Sequence, residues 1–293
     1  MPDKIHNYTI KDILRLLEYD FQESGIYIDN RSGLDYNPLK HPYRNNNFTI
    51  LFVTNGSIDV QLNLIEYHLQ ASSITIIPPQ SVIYFKDFSS DIHFITLSFD
   101  KKFAIEHTQH EKSSFTLLAP QSINKLLMTS EQQTTLLSLC TLIHQKNTQK
   151  EYFDSYKDAI NHLFALFLLE LMHISHANNK ALKKKVTRKE NLTISFIELL
   201  QQHFRTEKFI RFYADQLYVS ESYLAKVIKE VTGKTMGELI DHAIIIEAQL
   251  LLANSTLSIA EIADSLQFNT TSFFGKFFKR NVGCSPRAYR KQL

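Results

Sequence analysis

Apolar residues recur with two different periods along this chain. Between Asn7 and Asp20, Ile10, Ile13, Leu14 and Leu17 fall at the spacing of one helical face, which predicts a short amphipathic helix. From Phe48 to Phe99 the period shortens toward two. The runs Phe48–Val53, Ile58–Leu64, Tyr67–Leu69, Ile74–Ile77, Val82–Phe85 and Ile92–Phe99 are separated by Asn55-Gly56, Pro78-Pro79 and Ser89-Ser90-Asp91. Short strands at near-regular spacing predict a small β-barrel or sandwich, with Ile58, Val60, Leu62 and Leu64 sharing a face. Helical spacing returns at 134–145, where Leu136, Leu139, Cys140 and Ile143 form a wide stripe. It returns again at 152–174, through Tyr156, Ile160, Leu163, Phe164, Phe167, Leu171 and Ile174. A helix this apolar is buried on more than one side, against the barrel or against its copy in a second subunit. Phe164, Phe167 and Leu171 are therefore dimerisation candidates, and a homodimer is one expected assembly.

The segment 177–190 has little to bury and carries Lys183-Lys184-Lys185 and Arg188-Lys189, so it reads as a basic linker. Beyond it the sequence repeats itself. Ala214, Asp215 and Leu217 return 49 residues later as Ala263, Asp264 and Leu266. Tyr223, Leu224, Lys226, Lys229 and Gly233 return 50 residues later as Phe273, Phe274, Lys276, Lys279 and Gly283. The change of offset falls where a turn tolerates an insertion. Each copy reads as helix, turn, helix and a glycine stop. Ser220 is the expected N-cap of one second helix and Asn269 or Thr270 of the other, while Ser258 and Glu261 have capping-box spacing.

On those second helices the expected buried stripe is Tyr223, Leu224, Val227 and Ile228, matched by Phe273, Phe274, Phe277 and Phe278. The opposite face holds Ser222, Ala225, Lys226 and Lys229, matched by Ser272, Gly275, Lys276 and Lys279. Small, hydroxyl-bearing and basic residues suit a helix that enters a DNA major groove. With the residues around the helix starts, the DNA-binding candidates are Ser220, Glu221, Ser222, Ala225, Lys226 and Lys229 in the first copy. In the second they are Thr270, Thr271, Ser272, Gly275, Lys276, Lys279, Arg280 and Arg287. Charge agrees: residues 177–293 hold 18 Lys+Arg against 11 Asp+Glu, a balance of +7, and residues 1–176 hold 14 against 19, a balance of −5.

The stretch from Ile210 to Arg290 resembles the DNA-binding domain of the AraC/XylS transcriptional regulators. The resemblance rests on Ile259-Ala260-Glu261-Ile262-Ala263, Phe273-Phe274-Gly275-Lys276-Phe277-Phe278-Lys279, Gly283-Cys284-Ser285-Pro286 and Tyr289-Arg290. It implies two helix-turn-helix units joined by a long helix, double-stranded DNA and RNA polymerase as partners, and activation of transcription in the cytoplasm. The sequence departs from the family's habit at Ile244, where an Arg is common. It departs again at Gln267, where a Gly is common; that change costs little if φ stays negative. The N-terminal part is similar to the cupin-like sensing and dimerisation domain of such regulators, which implies a small-molecule effector whose site the sequence does not name.

The expected architecture is thus α+β: a cupin-like β-barrel with flanking helices over 1–176, the linker 177–190, and an all-α double helix-turn-helix domain over 191–293. The competing reading, a cupin-type small-molecule-binding protein or enzyme with a helical appendage, requires clustered metal ligands. His41, His68 and His93 stand singly instead, so no metal, cofactor or catalytic residue is expected. An apolar content of 44% is too high for disorder, and two cysteines cannot build a disulfide framework. The start Met1-Pro2-Asp3-Lys4 lacks a secretory pattern, and the apolar run Leu163–Leu169 stops at Glu170, so neither secretion nor a membrane span is expected.

Overall fold

A computed structural model describes residues 7–16, 25–32, 41–108, 125–148, 155–181 and 187–292. The chain divides into two compact units, one over 7–183 and one from 184 to 293.

The first unit begins with β1 (Asn7–Tyr8) and α1 (Ile10–Leu16). The strands β2 (Ile26–Ser32), β3 (Tyr43–Asn45), β4 (Phe48–Asn55), β5 (Ser57–Leu62), β6 (Ile65–Gln70), β7 (Ser73–Ile77), β8 (Val82–Phe88) and β9 (His93–Phe99) follow. After α2 (Lys101–Thr108) and β10 (Lys125–Leu127) come two long helices, α3 (Ser130–Thr148) and α4 (Tyr156–Ala181). The strands form two five-stranded sheets, ordered β1-β3-β8-β5-β6 and β10-β7-β4-β9-β2, antiparallel except for the β1–β3 pair. The β4–β5 hairpin turns at Gly56 with φ +69°, and a Cβ there would meet Ser89 Oγ and lie 2.9 Å from Ile92 Cα, so only glycine fits.

The two sheets differ in how they are covered. On β4, Leu51 and Val53 face the other sheet and pack with Ile58, Val60, Leu62 and Ile83. Ile50 and Phe52 face the opposite way, onto α3 and α4. A strand buried on both sides has no polar face to alternate with, hence the near-continuous run Ile50-Leu51-Phe52-Val53. On β5 and β6 the outer positions Asp59, Glu66 and His68 stay exposed, and the period-two pattern survives. Leu64, expected to extend the β5 face, lies in the turn after Leu62, where Asn63 has φ +56°. β1, β2, β3, β10 and α2 lay outside the expected elements; three are two- or three-residue strands, too short to show a period.

Phe164, Phe167 and Leu171 are fully buried within the chain itself. Phe164 meets Phe99 edge-on at 4.9 Å between ring centroids, and Phe167 meets Phe52 at 5.9 Å. The expectation that these three contact a second subunit is corrected: helical spacing reports that a face is apolar, not what covers it. The same contacts explain why α4, whose Tyr156–Asn178 stretch is long and apolar enough to cross a membrane, serves as the cover of a sheet. The expected linker 177–190 is shorter than read. α4 runs on to Ala181, and a capping box of Thr187 and Glu190 starts the next helix, leaving 182–186 outside the described residues.

The second unit is helical throughout: α5 (Arg188–His203), α6 (Ile210–Gln216), α7 (Glu221–Thr232), α8 (Met236–Asn254), α9 (Ile259–Ser265), α10 (Thr271–Val282) and α11 (Pro286–Lys291). The central helix α8 packs against α7 of the first copy and against α9 and α10 of the second. It is buried at every position from Ala243 to Leu252, including Gln249 and Glu247, which pairs with Arg205, so the stretch is apolar over most but not all of its circumference.

Candidate nucleic-acid interface

The two copies are α6–turn–α7 and α9–turn–α10. α7 is capped by Ser220, whose hydroxyl accepts from the Tyr223 amide at 3.3 Å. α10 is capped by Thr270, whose hydroxyl accepts from the Phe273 amide at 3.1 Å. This settles the choice between Asn269 and Thr270. Both helices stop at a left-handed glycine, Gly233 at φ +73° and Gly283 at φ +90°.

Along their twelve residues α7 and α10 have the same burial sequence, position for position. Leu224, Val227 and Ile228 are buried, as are Phe274, Phe277 and Phe278. Ser222, Lys226 and Lys229 are exposed, and so are Ser272, Lys276 and Lys279; Ala225 and Gly275 are half-buried between them. A Cβ added at Gly275 would meet nothing within 4 Å, so packing does not require that glycine. Glu221, Thr271, Arg280 and Arg287 are exposed as well, though Arg280 also reaches Asp241 of α8 at 3.3 Å. The structure thus brings every DNA-binding candidate to the exposed side of its copy, with Ser220 and Thr270 engaged as caps.

Two expectations are corrected. Tyr223 and Phe273, read as part of the buried stripe, are 40% and 61% exposed. Gln267 has φ +55°, not a negative value, and its counterpart Tyr218 has φ +56°. Both side chains therefore hold the left-handed turn that a glycine adopts without strain, at a cost of about 1–2 kcal/mol each. Sequence reasoning also missed Lys208, which stands just before α6. Its ammonium donates to the carbonyls of Leu266 at 2.9 Å and Gln267 at 3.0 Å, and sits 4.7 Å over the Phe268 ring. Those carbonyls end α9, where a cation meets the negative end of the helix. Partial burial lowers the Lys208 pKa. Nothing in the residue types around Lys208 signals this contact, because its partners are backbone atoms 58 and 59 residues away.

The first unit contains a cleft of about 550 Å³ where α1, the start of β2, the β3–β4 turn and the start of α2 meet. Ile10, Ile26, Tyr27 and Pro79 line it together with Thr9, Asn46, Asn47 and Gln80 and the charged Lys11, Asp100, Lys101 and Lys102, and most of the surface facing the cleft is apolar. The three histidines have separate local partners: His41 with the Pro42 carbonyl, His68 with Asp59, and His93 with Thr54. No three His, Cys, Asp or Glu side chains converge among the described residues.

Two helix-turn-helix units on one shared helix, each presenting a basic, hydroxyl-bearing helix face, define a DNA-binding transcription regulator. Residues 213–292 match the family model described as a helix-turn-helix domain. The chain is 25% identical to the Msm operon regulatory protein of Streptococcus mutans over 94% of its own length and 96% of that protein's. It is 35% identical to the regulatory protein PocR of Salmonella typhimurium over 27% of its length, a match that spans 26% of PocR. Among solved structures, ToxT of Vibrio cholerae with a bound unsaturated fatty acid aligns over 92% of this chain at 17% identity and a TM-score of 0.40, too loose to transfer a ligand site. Residues 213–292, the greater part of the helical unit, are thus a helix-turn-helix domain.

Proposed function

We propose that this regulator reads two successive major grooves through α7 and α10, and that the first unit senses a small molecule. The observation that carries the DNA half is the identical burial sequence of α7 and α10, which turns Ser222, Lys226 and Lys229 and their counterparts Ser272, Lys276 and Lys279 outward twice. In this reading hydroxyls and lysines near the helix starts meet base edges, while Lys229, Lys279, Arg280 and Arg287 meet phosphates. Two such helices on one domain suit grooves about 34 Å apart on one face of the duplex. The half-sites are unlike, because Glu221 faces where Thr271 does and Ala225 where Gly275 does.

The full chain titrated with duplex DNA at two salt concentrations tests this. Log affinity falls linearly with log salt if phosphates are neutralised. Salt-independent binding, or none at low salt, overturns it.

The cleft of the first unit is the effector site in this proposal, and that unit is a cupin-like sensor rather than an enzyme. A melting-temperature screen of the full chain with sugars, polyols and organic acids checks it. A hit whose shift disappears on replacing Tyr27 and Asn47 supports the assignment. Resemblance alone supports activation of transcription, contact with RNA polymerase, a homodimer and a cytoplasmic location. With Phe164, Phe167 and Leu171 committed to the core, the helix surface left for a second copy holds Leu142, Leu166 and Leu169, each more than 40% exposed.

A further inference from the structure

Tyr223 and Phe273 occupy the same place in the two copies, the third residue of α7 and of α10. Each has the next residue, Leu224 or Phe274, completely buried, yet stands out of the core itself. Phe273 is the more exposed, and it is not loose. Its ring leans on Phe268 at 5.9 Å between centroids, and Phe268 is held by Phe274 at 5.2 Å, Phe277 at 5.1 Å and the Lys208 ammonium at 4.7 Å. A backed, outward-facing phenyl is a rigid apolar anchor. One turn further along the same flank stand Lys276 and, in the first copy, Lys226, because residues three apart are neighbours on a helix.

An apolar ring beside groove-facing lysines has one complementary chemistry in a major groove. Base edges there offer hydrogen-bond donors and acceptors, which a phenyl cannot use, and the thymine 5-methyl group, which it can. We propose that Phe273 and Tyr223 each select thymine in their half-site by packing against its 5-methyl group. This rests on the reading that α7 and α10 enter the major groove, and it adds an apolar readout to the polar one. Phe273 has only this contact to make. Tyr223 keeps a hydroxyl that also reaches a neighbouring base edge or phosphate.

The test uses the full-length chain and duplexes recovered by selection from a random library. The wild-type logo contains one thymine that Phe273→Ala loses and another, in the other half-site, that Tyr223→Ala loses, while the melting temperatures of both variants stay near wild type. The recovered duplex is then remade with deoxyuridine at that thymine, which removes the methyl and nothing else. Wild type loses about fourfold in affinity, the worth of one buried methyl-sized group, and Phe273→Ala shows no further loss. Equal wild-type binding to the thymine and deoxyuridine duplexes, or an unchanged logo in both variants, overturns the proposal while leaving groove binding intact. A wild-type chain that enriches no duplex overturns the groove reading itself, and this inference with it.

Discussion

The two helix-turn-helix copies share one burial sequence but not one surface. α7 carries Glu221, Lys226, Lys229 and Glu230 and is neutral, whereas α10 carries Lys276, Lys279 and Arg280 and is +3. They also start differently. α9 has a full capping box from Ser258 and Glu261, while α6 begins at Phe209 with no side-chain cap. The first copy instead buries Tyr213 completely and donates its hydroxyl to the Glu207 carbonyl at 2.7 Å; the matching place in the second copy is Ile262. Burial is the shared scaffold, and charge and capping are what each copy varies on it. The second copy is therefore expected to supply more of the electrostatic affinity, the first to differ in what it reads.

The strongest way to break this comparison is through the core. Phe278→Ala and Ile228→Ala remove matched, fully buried side chains and should each cost about 2–5 kcal/mol. Because α8 packs against both copies, denaturant melting should show one shifted transition for the helical unit. Two transitions, one unmoved, would show that the copies fold independently.

Exchanging the charge that separates α7 from α10 sharpens the comparison next. Arg280→Glu should weaken DNA binding and lower the salt slope by roughly one, and Glu230→Arg should strengthen it and raise the slope by a similar amount. Equal slopes for wild type and both variants would show that these positions face solvent in the complex. Glu230 also pairs with Lys189 at 2.5 Å, which draws its pKa down, but an exposed pair of this kind contributes little to stability.

The small residues at the centre of each face give a third test. Gly275→Ala should stabilise the free protein by about 0.5–1 kcal/mol, since a helix interior prefers alanine and the space is open. The same variant should bind DNA more weakly if the groove comes close there. Stabilisation without loss of affinity would assign the glycine no role in approach.

The turns should respond alike. Tyr218→Gly and Gln267→Gly each relieve a left-handed non-glycine residue and should raise stability by about 1 kcal/mol. A rise at Tyr218 alone would mean that the Gln267 side chain makes stabilising contacts whose loss offsets the relief of strain at the second turn.

The smallest effect is alkaline. Burial, with Glu207 nearby, pushes the Tyr213 pKa up to about 12. The folded state favours the neutral phenol, so this contribution is complete below pH 10 and is lost as pH rises from 10 toward 12. Wild type should lose more stability than Tyr213→Phe between pH 9 and 11 in denaturant titrations. Parallel losses would show that the phenol does not titrate differently on folding.

The double helix-turn-helix was legible because a repeat displays the same physical constraint twice. Caps, glycine stops and the polar faces of α7 and α10 all followed from residue type and spacing. The exposure of Tyr223 and Phe273 did not, because an aromatic beside an apolar stripe looks like part of it. The strained turn at Gln267 was invisible for a related reason: backbone conformation at one residue leaves no trace in periodicity. In the first unit the strands with a polar outer face were legible, and Asn55-Gly56 marked its hairpin. What covers the far face of β4 and β9 was not, because Phe164 and Phe167 are apolar whether their partner is a sheet or a second subunit.

Lys208 fixes something the recognition helices alone do not. By binding the carbonyls of Leu266 and Gln267, it ties the start of the first copy to the turn of the second. In the proposed reading, α7 and α10 then keep one rotational phase about the duplex axis, as two teeth on one gear do. An operator with about five extra base pairs between its half-sites turns the second half-site to the far side of the helix. A hinged pair of domains would swivel to follow it. This pair is expected to release one half-site instead, so that promoters it serves share a single spacing while their sequences drift.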